Sequence, residues 1–398
     1  MKKLLSVFLV LAMLFAFVFT AAAEEPRFVF GEDGKFTVLH LTDSQDDHHP
    51  SFDMLNLVKR SIEETDPDLI VFTGDIVEDS RIGDIGVDSE PGREGVVVKK
   101  LNGDIDIEKT LANIEDAVAE LFGVLEESGV PYVIAQGNND HKCGITNEQW
   151  LEIYSRYPNC ISLDMSDDAD GRIDRNIFIY GKDGQPQFNL WIMDTGKGGV
   201  NSEQIEWYKS RSAEITAQYG RTVPAIVFQH IQVADIGNLF VPCKATDFGA
   251  TADGLDFYRL DTSIAHGQNF FAYVPGETSA EFTAWKESGD VIGAFFGHQH
   301  VEGFSGVWQG IELGFTYGCE FAKTGPYGYR VIDIFEDDPF NYDTDLYVYE
   351  GNVKLGTDKI TKQTDSEEKQ PDNAVLGFFA KIINFFKAMF KVIVSLFA

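Results

Sequence analysis

Six short runs of mostly apolar, β-branched or aromatic residues punctuate the chain, at 36–41, 69–72, 132–135, 190–193, 225–228 and 291–296. Runs of this length without polar alternation predict strands covered on both faces. Between them, apolar positions recur every three or four residues over 52–65, 107–128 and 202–219, the period of an amphipathic helix. Gly129 and Gly220 stand where the last two helices should stop. The alternation predicts an α/β architecture. The glycine-rich, acidic stretches 83–95 and 164–174 read as surface insertions, and the chain shows no internal repeat.

The two ends break this pattern. Lys2 and Lys3 precede an almost wholly apolar run over 4–20, which ends in Ala21-Ala22-Ala23. That is the form of a secretory signal peptide over 1–23, and it predicts a secreted, extracytoplasmic protein. The run is short for an uncleaved anchor, and no Cys follows it to carry a lipid. At the far end, 362–372 is polar and reads as a linker, leaving 24–361 as the folded body. After Asn373, which opens the segment 373–398, residues 374–398 are apolar except for Lys381, Asn384, Lys387, Lys391 and Ser395, which fall on one narrow stripe of a helix. Such a C-terminal amphipathic helix suits a membrane or cell-envelope surface, a partner's groove, or its own domain.

Composition narrows the classes. Among 398 residues, 64 Asp and Glu stand against 32 Lys and Arg, for a formal charge of −32. A broad basic surface for nucleic acid is excluded by that balance. With 44% hydrophobic residues and 32 Phe, the chain is also too apolar for a disordered acidic polymer. The length permits two or three ordinary domains or one large α/β domain. In an exported protein Cys143 and Cys160 form the plausible local disulfide, with free buried thiols equally compatible for all four cysteines, Cys243 and Cys319 included.

The chemistry lies immediately after the strands. Thr42-Asp43-Ser44-Gln45 follows the first run, Gly74-Asp75 the second, and Gly137-Asn138-Asn139-Asp140-His141 the third. Gln229-His230 follows the fifth and Gly297-His298-Gln299-His300 the sixth. Singly, a Gly-Asp is a turn and a His is a core residue. Five such groups at the carboxyl ends of buried strands can converge on one edge of the fold. Carboxylate, amide and imidazole together are the donors a pair of divalent metals takes.

In this order the groups resemble the signature of the calcineurin-like metallophosphoesterase superfamily, and within it the purple-acid-phosphatase-related branch. The resemblance runs from roughly 36 to 334, with Gly297 to His300 its most specific piece. It implies an αββα sandwich of two mixed sheets flanked by helices, with a dinuclear metal site between the sheets. By position, one metal would take Asp43, Gln45, Asp75 and His300, and the other Asp75, Asn138, His230 and His298. The implied cofactors are two divalent or trivalent ions of Fe, Mn or Zn. The implied reaction is hydrolysis of phosphate monoesters or diesters by metal-activated hydroxide.

Two positions depart from the pattern. Gln45 replaces a His ligand with a neutral amide, a weaker donor for late transition metals. Asn139 replaces the His placed near the substrate phosphate; it can donate a hydrogen bond but no proton at neutral pH. His141, two residues on, is the candidate to restore that proton transfer through a shifted loop, whose loss costs about 10² to 10⁴-fold in rate. His48 and His49 could replace the Gln45 donor only if their loop folds back. His266, Tyr273, Glu302 and Tyr317 are weaker candidates for substrate specificity, each with a structural role as the simpler expectation. The alternative to an enzyme is a non-catalytic metal-binding or cell-surface interaction protein on the same scaffold.

Overall fold

The computed structural model describes residues 27–79, 95–161, 172–321 and 325–363. The signal peptide, most of the linker and the C-terminal helix expected from the sequence lie outside these residues. In chain order the first half comprises β1 (Phe28–Val29), β2 (Lys35–Leu41), α1 (Phe52–Thr65), β3 (Leu69–Phe72), α2 (Ile107–Ser128), β4 (Tyr132–Ile134), α3 (Asn147–Tyr154), β5 (Arg175–Tyr180), β6 (Pro186–Met193) and α4 (Ser202–Tyr219). The second half comprises β7 (Ala225–Gln229), β8 (Phe240–Pro242), β9 (Thr251–Asp253), β10 (Asp256–Leu260), β11 (Ala265–Gln268), α5 (Ala280–Ser288), β12 (Val291–Phe296), β13 (Gly303–Trp308), β14 (Ile311–Phe315), β15 (Tyr327–Phe335), β16 (Tyr342–Glu350) and β17 (Lys359–Lys362).

All six apolar runs are strands and all three periodic segments are helices. The helix ends follow local chemistry. Ser51 caps α1 by accepting from the Met54 N–H, Asn201 and Gln204 form a reciprocal cap on α4, and Gly129 and Gly220 end α2 and α4 with left-handed backbone.

Two mixed sheets stack face to face. One runs in the order β17-β16-β15-β2-β3-β4 and the other β1-β5-β6-β7-β12-β14-β13-β11; β8-β10-β9 form a small third sheet. The parallel pairs β6/β7, β7/β12 and β12/β14 sit at the centre of the larger sheet, and β2/β3 and β3/β4 run from the middle of the smaller one to its β4 edge. Between the sheets, Phe36 and Val38 of β2, Val71 of β3 and Ile332 of β15 pack with Leu190 of β6, Phe228 of β7 and Phe295 of β12. Leu39 and Leu41, one position out of phase, point the other way onto α1 and α2. On the opposite side Val227, Phe296 and Phe315 pack under α4 and α5. These layers form the αββα sandwich implied by the resemblance.

Of the two readings left open for the cysteines the structure takes the free thiols, and two other expectations need correction. The four cysteines are all free: Cys143 Sγ donates to the Asn139 carbonyl and Cys319 Sγ to the Thr42 carbonyl, so neither is turned to a partner thiol. The stretch expected as a surface insertion ends in the core, because Ile173 and Asp174 are buried. Lys362, expected to open the linker, pairs with Tyr347 in the sheet, and the Gln363 side chain donates to Gly303 and accepts from Tyr317.

Candidate metal centre

Loops leaving the carboxyl ends of β2, β3, β4, β7, β12 and β14 meet where the two sheets face each other. Glycines set how closely they approach. A Cβ on Gly74 would overlap the backbone of Gly137, one on Gly137 would overlap Asp75, and one on Gly297 would overlap the Thr42 side chain. Asp140, also buried, binds these loops together: its carboxylate accepts from the backbone N–H of Ile76 at 2.9 Å and of Gly137 at 2.9 Å. Burial and the neighbouring Asp75 raise its pKa to about 7. Below the loops, neutral His40 bonds Thr73 and Thr316 at 2.8 Å each, joining the sheets; burial and then Arg330 hold its pKa well down.

Three residues in the loops adopt left-handed backbone without being glycine: Asp43 and Asp75, each with φ 51°, and His298 with φ 70°. Such conformations cost about 1 to 3 kcal/mol each and persist only where the surroundings enforce them. All three bring a donor atom to the same place.

The donors form two groups that share Asp75, one of Asp75, His230 and His298 and one of Asp43, Asp75 and His300. In the first, His230 Nδ1 lies 2.6 Å from the Thr73 carbonyl, to which it donates. That leaves Nε2 facing Asp75 Oδ2 at 3.2 Å and His298 Nδ1 at 3.3 Å. Burial disfavours a charged His230, yet the carboxylates of Asp75 and Asp43 outweigh it and raise its pKa to about 9. Burial would raise the pKa of Asp75, and His230, the Asn139 N–H and His300 together more than reverse this. His298 is shifted down by burial and by His230. Lone pairs aimed at one another in a buried site are costly without a cation or proton between them.

Asn138 joins this group. One terminal amide atom is 2.8 Å from His298 Nδ1 and the other is 2.8 Å from Lys142 Nζ. An NH₂ turned to His298 and an oxygen turned to Lys142 satisfy both neighbours; coordination beside His298 needs the reverse.

In the second group, His300 Nδ1 is 2.6 Å from Glu320 Oε1, which fixes the ring and directs Nε2 toward Asp43 Oδ1 at 3.4 Å. Asp43 Oδ1 is buried with no hydrogen bond, whereas Oδ2 accepts from Thr42 Oγ1 and the His298 N–H. An unbonded carboxylate oxygen facing an imidazole is the donor pattern of a cation site, and the carboxylate behind that imidazole is its usual support. The donor set therefore fits metal ions in both groups.

The family model for calcineurin-like phosphoesterases matches residues 36–302, two thirds of the chain and every one of these loops up to His300. The chain belongs to the calcineurin-like phosphoesterase family. It is 23% identical over 352 residues to a protein of Arabidopsis thaliana named probable inactive purple acid phosphatase 14, covering 77% of this chain and 76% of that one. It is 24% identical to probable inactive purple acid phosphatase 29 of the same plant, covering 82% of each. Among solved structures, a dimetal phosphatase from Danio rerio is similar over 83% of this chain and 99% of its own, at 11% identity and a TM-score of 0.46.

Phosphoesterases of this family depend on a pair of metals and act on phosphate esters, and this chain supplies two groups of candidate ligands for them. Of the residues singled out from the sequence, Asp43, Asp75, Asn138, His230, His298 and His300 converge as described. Gln45 and Asn139 converge too, but on each other: Asn139 Nδ2 donates to Gln45 Oε1 at 2.7 Å and to Asp75 Oδ2 at 2.6 Å. His141 Nε2 lies 2.6 Å from Asp194 Oδ1. Burial would raise Asp194, but the bond from His141 holds it below the usual carboxylate range. His49 lies beside Glu120, near the start of α1 and not among the donors.

The four weaker candidates have structural partners. His266 faces Ser305 on the neighbouring strand, and Tyr273 packs on Phe240, Phe304 and Phe315. Tyr317 binds Gln363, and Glu302 accepts from the backbone of Phe270 and Phe271. Sequence reasoning missed Asp194 and Glu320. Asp194 follows the fourth apolar run, so the same strand-end rule would have found it. Glu320 follows β14, which glycine interrupts and no long apolar run announces.

Proposed function

We propose that the protein is a secreted hydrolase of phosphate monoesters or diesters, working with two metal ions of the Fe, Mn or Zn class. The observation that carries this reading is Asp75: one buried, conformationally strained carboxylate shared by two groups of converging imidazole and carboxylate donors. Asp43, Gln45, Asp75 and His300 would hold one ion, and Asp75, Asn138, His230 and His298 the other. When bound, such ions supply Lewis acidity toward phosphoryl oxygens and a water that ionises near neutral pH. Glu320 and the Thr73 carbonyl keep His300 and His230 in the tautomers that present Nε2. Asn139 holds Asp75 and Gln45 in place and donates no proton. His141, held by Asp194, is the candidate to protonate the leaving group, in keeping with its place two residues after Asn139.

The test is turnover of p-nitrophenyl phosphate and its bis ester by purified protein supplied with Mn, Fe or Zn. Activity that needs metal and disappears in His298→Ala is expected; no turnover with any metal would sink the enzyme reading. His141→Ala should slow alkyl esters, which need a proton at the leaving oxygen, by about 10² to 10⁴-fold, and nitrophenyl esters far less. A second reading, a metal-binding protein without catalysis, is favoured by Asn139 at the proton donor's place and by the word inactive in the plant relatives' names. Bound metal without turnover would select it.

A further inference from the structure

The two positions at which the motifs depart from the family pattern lie 94 residues apart in sequence and touch in the fold. Gln45 Nε2 donates to Glu78 Oε2 at 3.0 Å, which fixes the other amide atom facing Asn139 as oxygen. Asn139 Nδ2 meets two acceptors, Gln45 Oε1 and Asp75 Oδ2, which fixes it as the nitrogen. Its backbone N–H takes the remaining Asp75 oxygen at 2.7 Å. All four residues are buried, and a chain of hydrogen bonds links them: Asn139 donates to Asp75 on one side and to Gln45 on the other, and Gln45 donates to Glu78.

This chain bears unequally on the two groups of donors. Its Gln45 end belongs to the Asp43–His300 position, where the NH₂ of Asn139 points its positive end at Gln45 Oε1, an oxygen that a cation there would use; the Asp75 Oδ2 that it also binds faces His230 Nε2 at 3.2 Å. With the Gln45 oxygen so engaged, that position keeps Asp43, Asp75 and a single imidazole, His300. The position on the other side keeps two imidazoles, His230 and His298, and has the Asn138 amide beside them. Nitrogen-rich sites hold late divalent metals more strongly than oxygen-dominated ones.

Taking the metal centre of the proposed function as given, we infer that its two positions are unequal: the His230–His298 position binds one late divalent ion tightly, and the Asp43–His300 position binds weakly because Gln45 and Asn139 bind each other. The protein then holds one ion per chain under conditions in which a His at both places would hold two.

Cobalt(II) titration of the chelator-stripped full chain tests this, read by calorimetry, by visible absorption and by elemental analysis after gel filtration. One tight equivalent is expected, with the second at least about tenfold weaker, the scale on which metal-site partners act. His298→Ala should remove the tight equivalent and His300→Ala should leave it. The Gln45→His, Asn139→His double variant should bind two equivalents of similar affinity. Two equivalents within about threefold of each other in the native chain, or loss of the tight one in His300→Ala, would overturn the inference while leaving the metal centre standing. No binding by the native chain would overturn the metal centre itself.

Discussion

Asp43, Asp75 and His298 accept a backbone conformation that costs free energy, and each does so at the point where its side chain must turn back from the end of a strand. Loop bonds hold them there: the Asp43 N–H donates to Gly74 and the His298 N–H to Asp43 Oδ2. Orientation of the imidazoles is a separate matter, settled by Glu320 and Thr73. Glu320→Gln should weaken metal binding by roughly 10- to 100-fold, measured by competition with a chelating dye, with the metal-free melting temperature changed little. Lys142 is exposed and faces the amide of Asn138. Lys142→Met removes the pull on the amide oxygen, so affinity for a late divalent ion should rise, about twofold to tenfold on the scale of one ordinary hydrogen bond.

Between elements, Asp140 joins the loop after β3 to the loop after β4, and with it the two strands that bring Asp75 and Asn138 together. Asp140→Ala would leave buried N–H groups of Ile76 and Gly137 without acceptors, at about 1 to 3 kcal/mol each. Denaturant unfolding should therefore show a loss of at least about 2 kcal/mol, and an unchanged midpoint would refute the joining role. Under α5, Glu281 faces an apolar cavity lined by Trp191, Met193, Val227 and Trp285. Burial lifts its pKa to about 8, against 4.5 in the unfolded chain, with a bond from Gln229 only partly opposing. The folded state thus holds this proton more tightly. Its contribution is fully present below about pH 4.5 and is lost as pH rises through about 8. Metal-free protein should lose stability between pH 5 and 8 by up to a few kcal/mol, and Glu281→Gln should flatten that decline in a series of thermal melts.

For the whole molecule, ions that bridge loops from both sheets bind the folded chain and not the unfolded one. Saturation at 1,000 times the dissociation constant stabilises by about 4 kcal/mol, so chelation should lower the melting temperature by several degrees. The charge distribution gives a further prediction. Among the described residues no helix is long and apolar enough to cross a membrane, while the last 25 residues of the sequence carry three Lys and no acid. Association with an anionic bilayer surface through 373–398 is expected, and equal sedimentation with vesicles of the full chain and a chain ending at Gln363 would refute it.

What the sequence determined by itself was local in origin. Uninterrupted apolar runs can only be strands covered on both sides, three-to-four periodicity can only be a helix with one buried face, and glycine marks where two of those helices stop. The strand-end rule found six converging ligand candidates because the ends of parallel strands lie on one edge whatever the rest of the chain does. Strands with polar or glycine-broken patterns, such as β5, β13 and β16, were not legible, since their pairing rather than their composition makes them strands. Only the tertiary structure decided which groups meet: Asp194 with His141, Glu320 with His300, and above all Gln45 with Asn139. Hydrogen bonds between side chains reach about 3 Å and depend on how two sheets and six loops pack. No spacing along one chain encodes that distance, and so two substitutions that looked independent in the sequence became partners in the fold.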